Sequence, residues 1–390
     1  MGLDDIIARR SLDELDRPLG EARGLPGSAY GPAFFELENR YLFPRSWAAV
    51  AVGGEIPNAG DALPVELGEW PLLLVRNASG QIGAFFNICR HRGMRLVTEH
   101  SCGRTELRCP WHAWTYDLDG HLMATPDMAG PGIGGTTGEL PRDCHLKPLR
   151  VAHWHDFVFV NIDGRAVPFE EYRDPVDALF ADYDFSLLRF ARHWERLYEG
   201  NWKIAHEGAI EDYHVRWGHP QLTVDAEARR GRWTTHDRCY AAVIFDVTYR
   251  PGEAPARALP TMLRSPGDGL DRYFVVNLFP TGQIWSSAHH AIFVLLLPDG
   301  WNRTRLVFNY YLVGEAATDS RYADERRAHF EAWERIAQQD EDYVKYVHAN
   351  AQVRDRVGVH PRFAPYWEGA VRDFQRMVVE TIREGEAASR

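Results

Sequence analysis

The sequence predicts an α+β fold in which a small antiparallel β domain precedes an antiparallel sheet covered by helices. Three observations lead there. Between about Asp61 and Ile162, short apolar runs alternate with Gly and Asp turns. After Cys239 come four apolar runs of strand character. From about Tyr322 to the C-terminus the chain is charged and helical in period. A chain of 390 residues also exceeds what one hydrophobic core usually serves, so two domains are expected.

In chain order, "GPAFFELENRYLFPRSW" carries Phe34, Leu37, Tyr41 and Leu42 at helical spacing. The β domain then offers "PLLLV", a turn at Asn77-Ala78-Ser79-Gly80, "IGAFFN", the hairpin "WTYDLDGHLM" folded at Asp119-Gly120, and "DFVFVNIDG". The stretch from Met128 to Gly138, "MAGPGIGGTTG", is rich enough in Gly to read as a surface loop. Next, "NWKIAHEGAIEDYHVRWGHP" predicts a helix that opens at an Asn201 N-cap and breaks at Gly218 and Pro220. The strand candidates "AAVIFDVTY", "RYFVVNLF", "AIFVLLLP" and "RLVFNYYLV" follow, and then the charged helices.

Composition narrows the function. Acidic residues outnumber basic ones 55 to 44, for a net charge of −11, which argues against binding nucleic acid. No apolar run is long enough to span a bilayer, and "MGLDDIIARRSLDELD" is too acidic and interrupted for a signal peptide. Gly2 is not followed by the hydroxyl residue of a myristoylation site. A cytoplasmic protein without a lipid anchor is therefore expected. The five cysteines, Cys89, Cys102, Cys109, Cys144 and Cys239, are odd in number and irregular in spacing. They read as ligands or buried thiols, not as a disulfide framework.

Two of them stand in the pairs Cys89-x-His91 and Cys109-x-x-His112, a suitable grip for an inorganic centre held between two loops. Structural zinc normally takes a Cys pair first and a His pair second. Here the order alternates. That suits a two-iron cluster in which each loop sends its Cys to one iron and its His to the other, as in a Rieske [2Fe–2S] centre. Such a cluster relays single electrons. Gly93 and Pro110 would let the loop backbone approach the sulfurs. Cys102 has no His partner and reads as structural.

A second constellation lies about 100 residues on. Glu211 and His214 are three apart on one helix face, whereas His219 is five beyond His214, about 140° around a helix. Both histidines reach one ion only if the helix ends between them, as Gly218 and Pro220 suggest. A third ligand is expected from "HFEAWERIAQQDEDYVKYVHAN". There Phe330, Trp333, Ala337, Val344 and Val347 mark an apolar face and Asp340 fills the gap in it. An acid on a buried face calls for a metal or a partner. Glu341 and Asp342 are the fallback. Two histidines and a carboxylate make the facial triad that holds Fe(II) with open positions for oxygen.

"CRHRG" and "CPWHAW" resemble the two cluster loops of the Rieske non-haem iron oxygenases, the ring-hydroxylating oxygenase α-subunit family, with Ala113 where that family usually has Gly. "NWKIAHEGAIEDYHVRWGHP" resembles the family's mononuclear iron motif. The resemblance implies a Rieske domain over residues 45–165. It also implies a catalytic domain of helix-grip type over 166–390, with the helical segment 1–44 as part of it. It makes Cys89, His91, Cys109 and His112 the cluster ligands, and His214, His219 and a late Asp near Asp340 the iron ligands. Tyr213 is the motif tyrosine, and Glu211 the acid linking the metal centres. His206, where many members carry Glu, receives no role.

The resemblance further implies a terminal oxygenase fed with NAD(P)H electrons by a separate reductase, or by a reductase and a ferredoxin. No dinucleotide fingerprint is evident in this chain. Subunits would form a head-to-tail trimer in which Glu211 faces His112 of the partner subunit. The expected chemistry is hydroxylation or oxidative demethylation of a small organic substrate, quaternary ammonium compounds included. Trp217, Trp285 and several tyrosines are candidates for a cation–π surface. Aromatic ring hydroxylation or cis-dihydroxylation is the alternative. A Rieske electron carrier without oxygenase activity, and a zinc-stabilised binding protein, are readings of another class. A mononuclear iron signal discriminates against the first, and a red-brown colour against the second.

Overall fold

The computed structural model describes residues 2–136, 142–222, 226–249, 259–265 and 271–389. It has two compact units, Met1–Ala49 with Ala166–Arg390, and Val50–Arg165.

The chain begins with three short helices, α1 (Leu3–Ile6), α2 (Arg9–Leu15) and α3 (Pro32–Leu37). Pro32 occupies the first turn of α3, where its missing N–H is not needed, and Phe34, Phe35 and Leu37 are buried. The predicted helix continues past Leu37 as a π-helical turn over Glu38–Leu42. Within that turn Glu38 is completely buried. It accepts a hydrogen bond from the Trp202 indole at 3.0 Å and pairs with Lys203, also completely buried.

After β1 (Ala48–Val52), the unit Val50–Arg165 contains β2 (Ala62–Leu67), β3 (Trp70–Arg76) and β4 (Ile82–Phe86), an antiparallel meander. Then come β5 (Leu107–Arg108), β6 (Thr115–Tyr116), β7 (Leu122–Gly130) and β8 (Ile133–Thr136), and finally β9 (Arg150–Trp154) and β10 (Phe157–Asn161). Three sheets result, in the orders β2-β3-β4, β5-β6-β7-β8 and β1-β10-β9. Leu73, Val75, Phe85, Leu107, Tyr116 and Leu122 form the core, with Cys89 and Cys109 packed into it.

The stretch Met128 to Gly138 departs from expectation. Its described part is a β-hairpin, with β7 running to Gly130 and β8 starting at Ile133. The glycines serve the turn: Gly130 and Gly132 have φ of 139° and 74°, which other residues rarely adopt. Residues 137 and 138 of the expected loop lie outside the described residues.

The other unit resumes with α4 (Phe169–Leu179), β11 (Leu188–Tyr198), α5 (Trp202–Ala209) and α6 (Val215–Gly218). Strands β12 (Ala226–His236), β13 (Tyr240–Tyr249), β14 (Asp271–Leu278), β15 (Gly282–Ser286), β16 (His290–Pro298) and β17 (Thr304–Val313) follow, then α7 (Ala323–Arg354) and α8 (Gly369–Ala387). One antiparallel sheet of seven strands runs in the order β11-β17-β16-β15-β14-β13-β12. The α+β fold class read from the sequence is therefore the one observed.

All nine positions of the interior strand β16 are buried, as befits a strand covered on both faces. On one face the Trp285 ring lies 5.4 Å from Trp333 of α7, Asn277 donates to a carbonyl of α5, and Thr235 meets Asp373 of α8. On the other, Phe274 and Phe293 pack on Phe180 and Phe185, just beyond α4. No helix among the described residues is long and apolar enough to cross a membrane.

Candidate metal centres

Two loops of the Val50–Arg165 unit share one backbone pattern. Cys89 N–H donates to the Met94 carbonyl at 2.8 Å, and Gly93 N–H returns to Cys89 at 2.9 Å. In the second loop, Cys109 N–H donates to Trp114 at 2.8 Å and Ala113 N–H returns to Cys109 at 3.0 Å. Each loop closes on its own cysteine, so both thiols point inward and are 2% exposed. The residue that closes each loop has positive φ, 79° at Gly93 and 54° at Ala113. The departure at Ala113 therefore acts through backbone strain.

The histidines of these loops meet, the His91 and His112 rings lying 4.6 Å apart. Trp114 stacks on His91 at 4.9 Å. Burial raises the pKa of the Cys89 thiol, while hydrogen bonds from the His91 backbone and Tyr116 pull it down. Tyr116 Oη, 3.5 Å from that sulfur, already accepts the Arg90 N–H, which leaves its own proton free to point at the sulfur. Two converging thiols, two converging imidazoles and donors at the sulfur fit a two-iron cluster with mixed ligands. Cys102 is exposed, 4.0 Å from a His100 nitrogen, and is not part of this core.

In the other unit the motif helix is split. Asn201 caps α5 as expected, its side chain accepting the Lys203 N–H at 3.1 Å. The helix stops at Ala209, however, not at Gly218, and α6 starts only at Val215. Glu211 and His214 thus occupy a turn between two helices and do not share the face of one. Glu211 shapes that turn. One of its oxygens accepts the N–H groups of Tyr213 and His214, and the other accepts His214 Nδ1. His219 follows as the C-cap of α6, and its Nδ1 donates to Gln339 Oε1 at 2.8 Å.

With each Nδ1–H committed to an oxygen, both imidazoles turn an Nε2 lone pair toward Asp340 of α7. Asp340 Oδ1 is 3.0 Å from His219 Nε2 and 3.9 Å from His214 Nε2. His219 Nε2 is buried without a hydrogen bond. The ligand atoms of His214, His219 and Asp340 lie within 4.8 Å of one another, a donor set that fits Fe(II). Burial opposes protonation of His214, but Glu211 and then Asp340 overcome it and raise its pKa. The fallback acids are elsewhere: Glu341 binds Arg196 Nε at 2.7 Å, and Asp342 is exposed.

These three residues line a cavity of about 370 Å³ together with Glu211, Trp285 and Trp333. Tyr213 and Trp217 are not in its lining: Tyr213 is 53% exposed and stacks on Trp367, and Trp217 is 75% exposed. His206 is buried with its Nδ1 on Gln283 at 3.2 Å. Sequence reasoning missed Gln339, Tyr116 and Glu38. Each acts on a partner distant in the chain, and no local spacing marks it.

Comparison with known families agrees with this layout. Residues 46–142 match the Rieske [2Fe-2S] domain, and residues 185–384 match the ring-hydroxylating alpha subunit catalytic domain. The glycine betaine monooxygenase oxygenase subunit of Chromohalobacter salexigens is 34% identical over 234 residues, 56% of this chain and 50% of that one. The large oxygenase component of salicylate 5-hydroxylase from Ralstonia sp. is 33% identical over 187 residues, 46% of this chain and 44% of its own. The chain thus spans about half the length of the curated relatives it matches. In fold it is similar to a solved quaternary ammonium Rieske monooxygenase, with a TM-score of 0.77, 19% identity, and coverage of 95% of this chain and 98% of the other. The catalytic-domain match covers half of the sequence by itself, and the chain belongs to the ring-hydroxylating oxygenase alpha-subunit family, with a Rieske [2Fe-2S] domain ahead of its catalytic domain.

Proposed function

We propose that this chain is the terminal oxygenase of a multicomponent system that hydroxylates or oxidatively demethylates a quaternary ammonium compound. The observation that carries the reading is the convergence of His214, His219 and Asp340 at the wall of a cavity. When bound, the cluster supplies single electrons and the ferrous ion supplies oxygen activation. In this reading Cys89, His91, Cys109 and His112 hold the cluster, and His214, His219 and Asp340 hold the iron. Glu211 and Gln339 fix the tautomers of the two iron-binding imidazoles, so that both face the metal through Nε2.

The balance is one O₂, two electrons and two protons. One oxygen atom enters a substrate C–H bond and the other leaves as water. A hydroxylated N-methyl group then departs as formaldehyde. The electrons come from NAD(P)H through a separate reductase or ferredoxin in the cytoplasm, and a head-to-tail trimer places Glu211 beside His112 of the partner subunit.

The lining of the cavity favours an ammonium substrate. Glu211 and Asp340 offset the charge of a bound ferrous ion, and among the described residues the rest of the lining holds no Lys or Arg but the indoles of Trp285 and Trp333. A quaternary ammonium group finds indole faces to lie against, a contact that an aromatic acid does not use. The test is to incubate the reduced, metal-loaded protein with quaternary amines and with aromatic acids under O₂, identifying products by mass. Oxidised or demethylated amines are expected. Oxidation of aromatic acids alone would overturn the substrate class, and no oxygen incorporation into any compound, with both metals present, would leave only an electron carrier.

A further inference from the structure

At the end of the cavity away from Asp340 stand two histidines that the reading above leaves unused. His290, at the start of β16, shares a sheet face with Trp285, because Trp285 pairs with Ile292 two residues along. His329 of α7 faces it, with the two ring centroids 4.2 Å apart. Both rings line the cavity, yet the Nε2 atoms of both are buried with no hydrogen-bond partner. A buried polar atom without a partner is destabilising, and two side by side call for a shared ligand. The state of His290 can be read from its neighbours. Ser287 Oγ accepts the His289 N–H at 3.3 Å, so its own proton is free for His290 Nδ1 at 2.9 Å. That leaves the hydrogen of His290 on Nε2, where it can donate. Burial pulls the His329 pKa down to about 4 and that of His290 well below its ordinary value, so both rings are neutral.

We propose that His290 and His329 form a seat for an oxygen acceptor of the substrate, a carboxylate or carbonyl several bonds away from the carbon that is oxidised. The inference rests on the substrate reading above and adds a length to it. His329, Trp333, Ile336 and Asp340 lie on one face of α7 and all line the cavity. His329 and Asp340 are about 16 Å apart along the helix axis, so only an elongated substrate touches both ends. A betaine with a single carbon between nitrogen and carboxylate is too short. A trimethylammonio acid with a longer chain of intervening carbons comes closer to spanning the distance, its N-methyl groups at the iron site and its carboxylate at the histidines.

The experiment is anaerobic calorimetry on the metal-loaded protein, using trimethylammonio acids with chains from one carbon to about five, each compared with the analogue in which a methyl group replaces the carboxylate. For the longer chains the acid should bind about tenfold more tightly than its methyl analogue, the effect of one hydrogen bond. His290→Gln and His329→Leu should each reduce that ratio toward one, with the cluster absorbance unchanged as the check on folding. Equal affinity of acid and methyl analogue in the unaltered protein, or a ratio that survives both substitutions, overturns the seat. Binding with the expected ratio but no oxidation under O₂ overturns the substrate reading and leaves the seat standing. Failure of every compound to bind overturns both.

Discussion

The cluster cradle and the iron site differ in how much of the chain builds them. Cys89, His91, Cys109 and His112 come from two neighbouring loops, each closed by a pair of backbone hydrogen bonds on its own cysteine. His214 and His219 flank a four-residue helix, while Asp340 arrives on the distant helix α7. That helix is held in place by long-range contacts, among them a hydrogen bond from Tyr198 to the Ala337 carbonyl and the pair of Arg196 with Glu341. A cradle made of local turns depends on few residues outside itself. A site made by docking a helix on a sheet depends on everything that seats the helix.

The largest effects expected from this contrast are losses of one metal without the other. His214→Ala should remove the mononuclear iron and leave the red-brown absorbance of the cluster. Cys109→Ala should remove that absorbance and leave one iron per chain. Metal analysis beside the visible spectrum checks both, and a His214→Ala protein with unchanged iron content would rule out this ligand. Asp340→Ala should likewise abolish iron binding. Glu341→Ala should not, because its partner Arg196 is a partly exposed pair, worth at most about 1 kcal/mol.

Smaller effects come from residues that touch the ligands. Glu211→Gln keeps an acceptor for His214 but loses the charge. Both metals should stay bound while turnover falls by about 10–100-fold, and near-normal product formation would dismiss the bridging role. Gln339→Leu takes the acceptor from His219 Nδ1, so iron affinity should fall about tenfold, with the cluster spectrum unaffected. Titration of the iron-depleted protein with Fe(II) measures it.

The same contrast governs what could be read from the sequence. The cluster loops announce themselves because their Cys and His residues are neighbours in the chain and their spacing has few other uses. For the iron site, spacing singled out His214, His219 and Asp340, which the structure brings together, but the break in the helix at Ala209 left no comparable mark. Strands β13, β14, β16 and β17 were legible as apolar runs. The edge strands β11 and β12 were not, for their sequences "LRFARHWERLY" and "AEARRGRWTTH" carry the charges that protect sheet edges from pairing with other chains. The hairpin at Gly130 was taken for a loop because glycine marks a turn whether or not strands flank it.

The smallest expected effect compares the two cluster loops with each other. Gly93 and Ala113 close equivalent turns at positive φ, but only one of them is glycine. An alanine in that region carries about 1–2 kcal/mol of strain. Glycine gives back part of the gain, about 0.4–1 kcal/mol, through its freer unfolded chain. Ala113→Gly should therefore stabilise the protein by about 1 kcal/mol or less. Gly93→Ala should destabilise it by a similar amount, since no atom within 4 Å obstructs an added methyl group and backbone strain is the whole effect. Thermal loss of the cluster absorbance reads both variants. Opposite shifts of similar size would mean that the loops are energetically equivalent, and a fall in stability for Ala113→Gly would show that the Ala113 methyl contributes contacts that outweigh its strain.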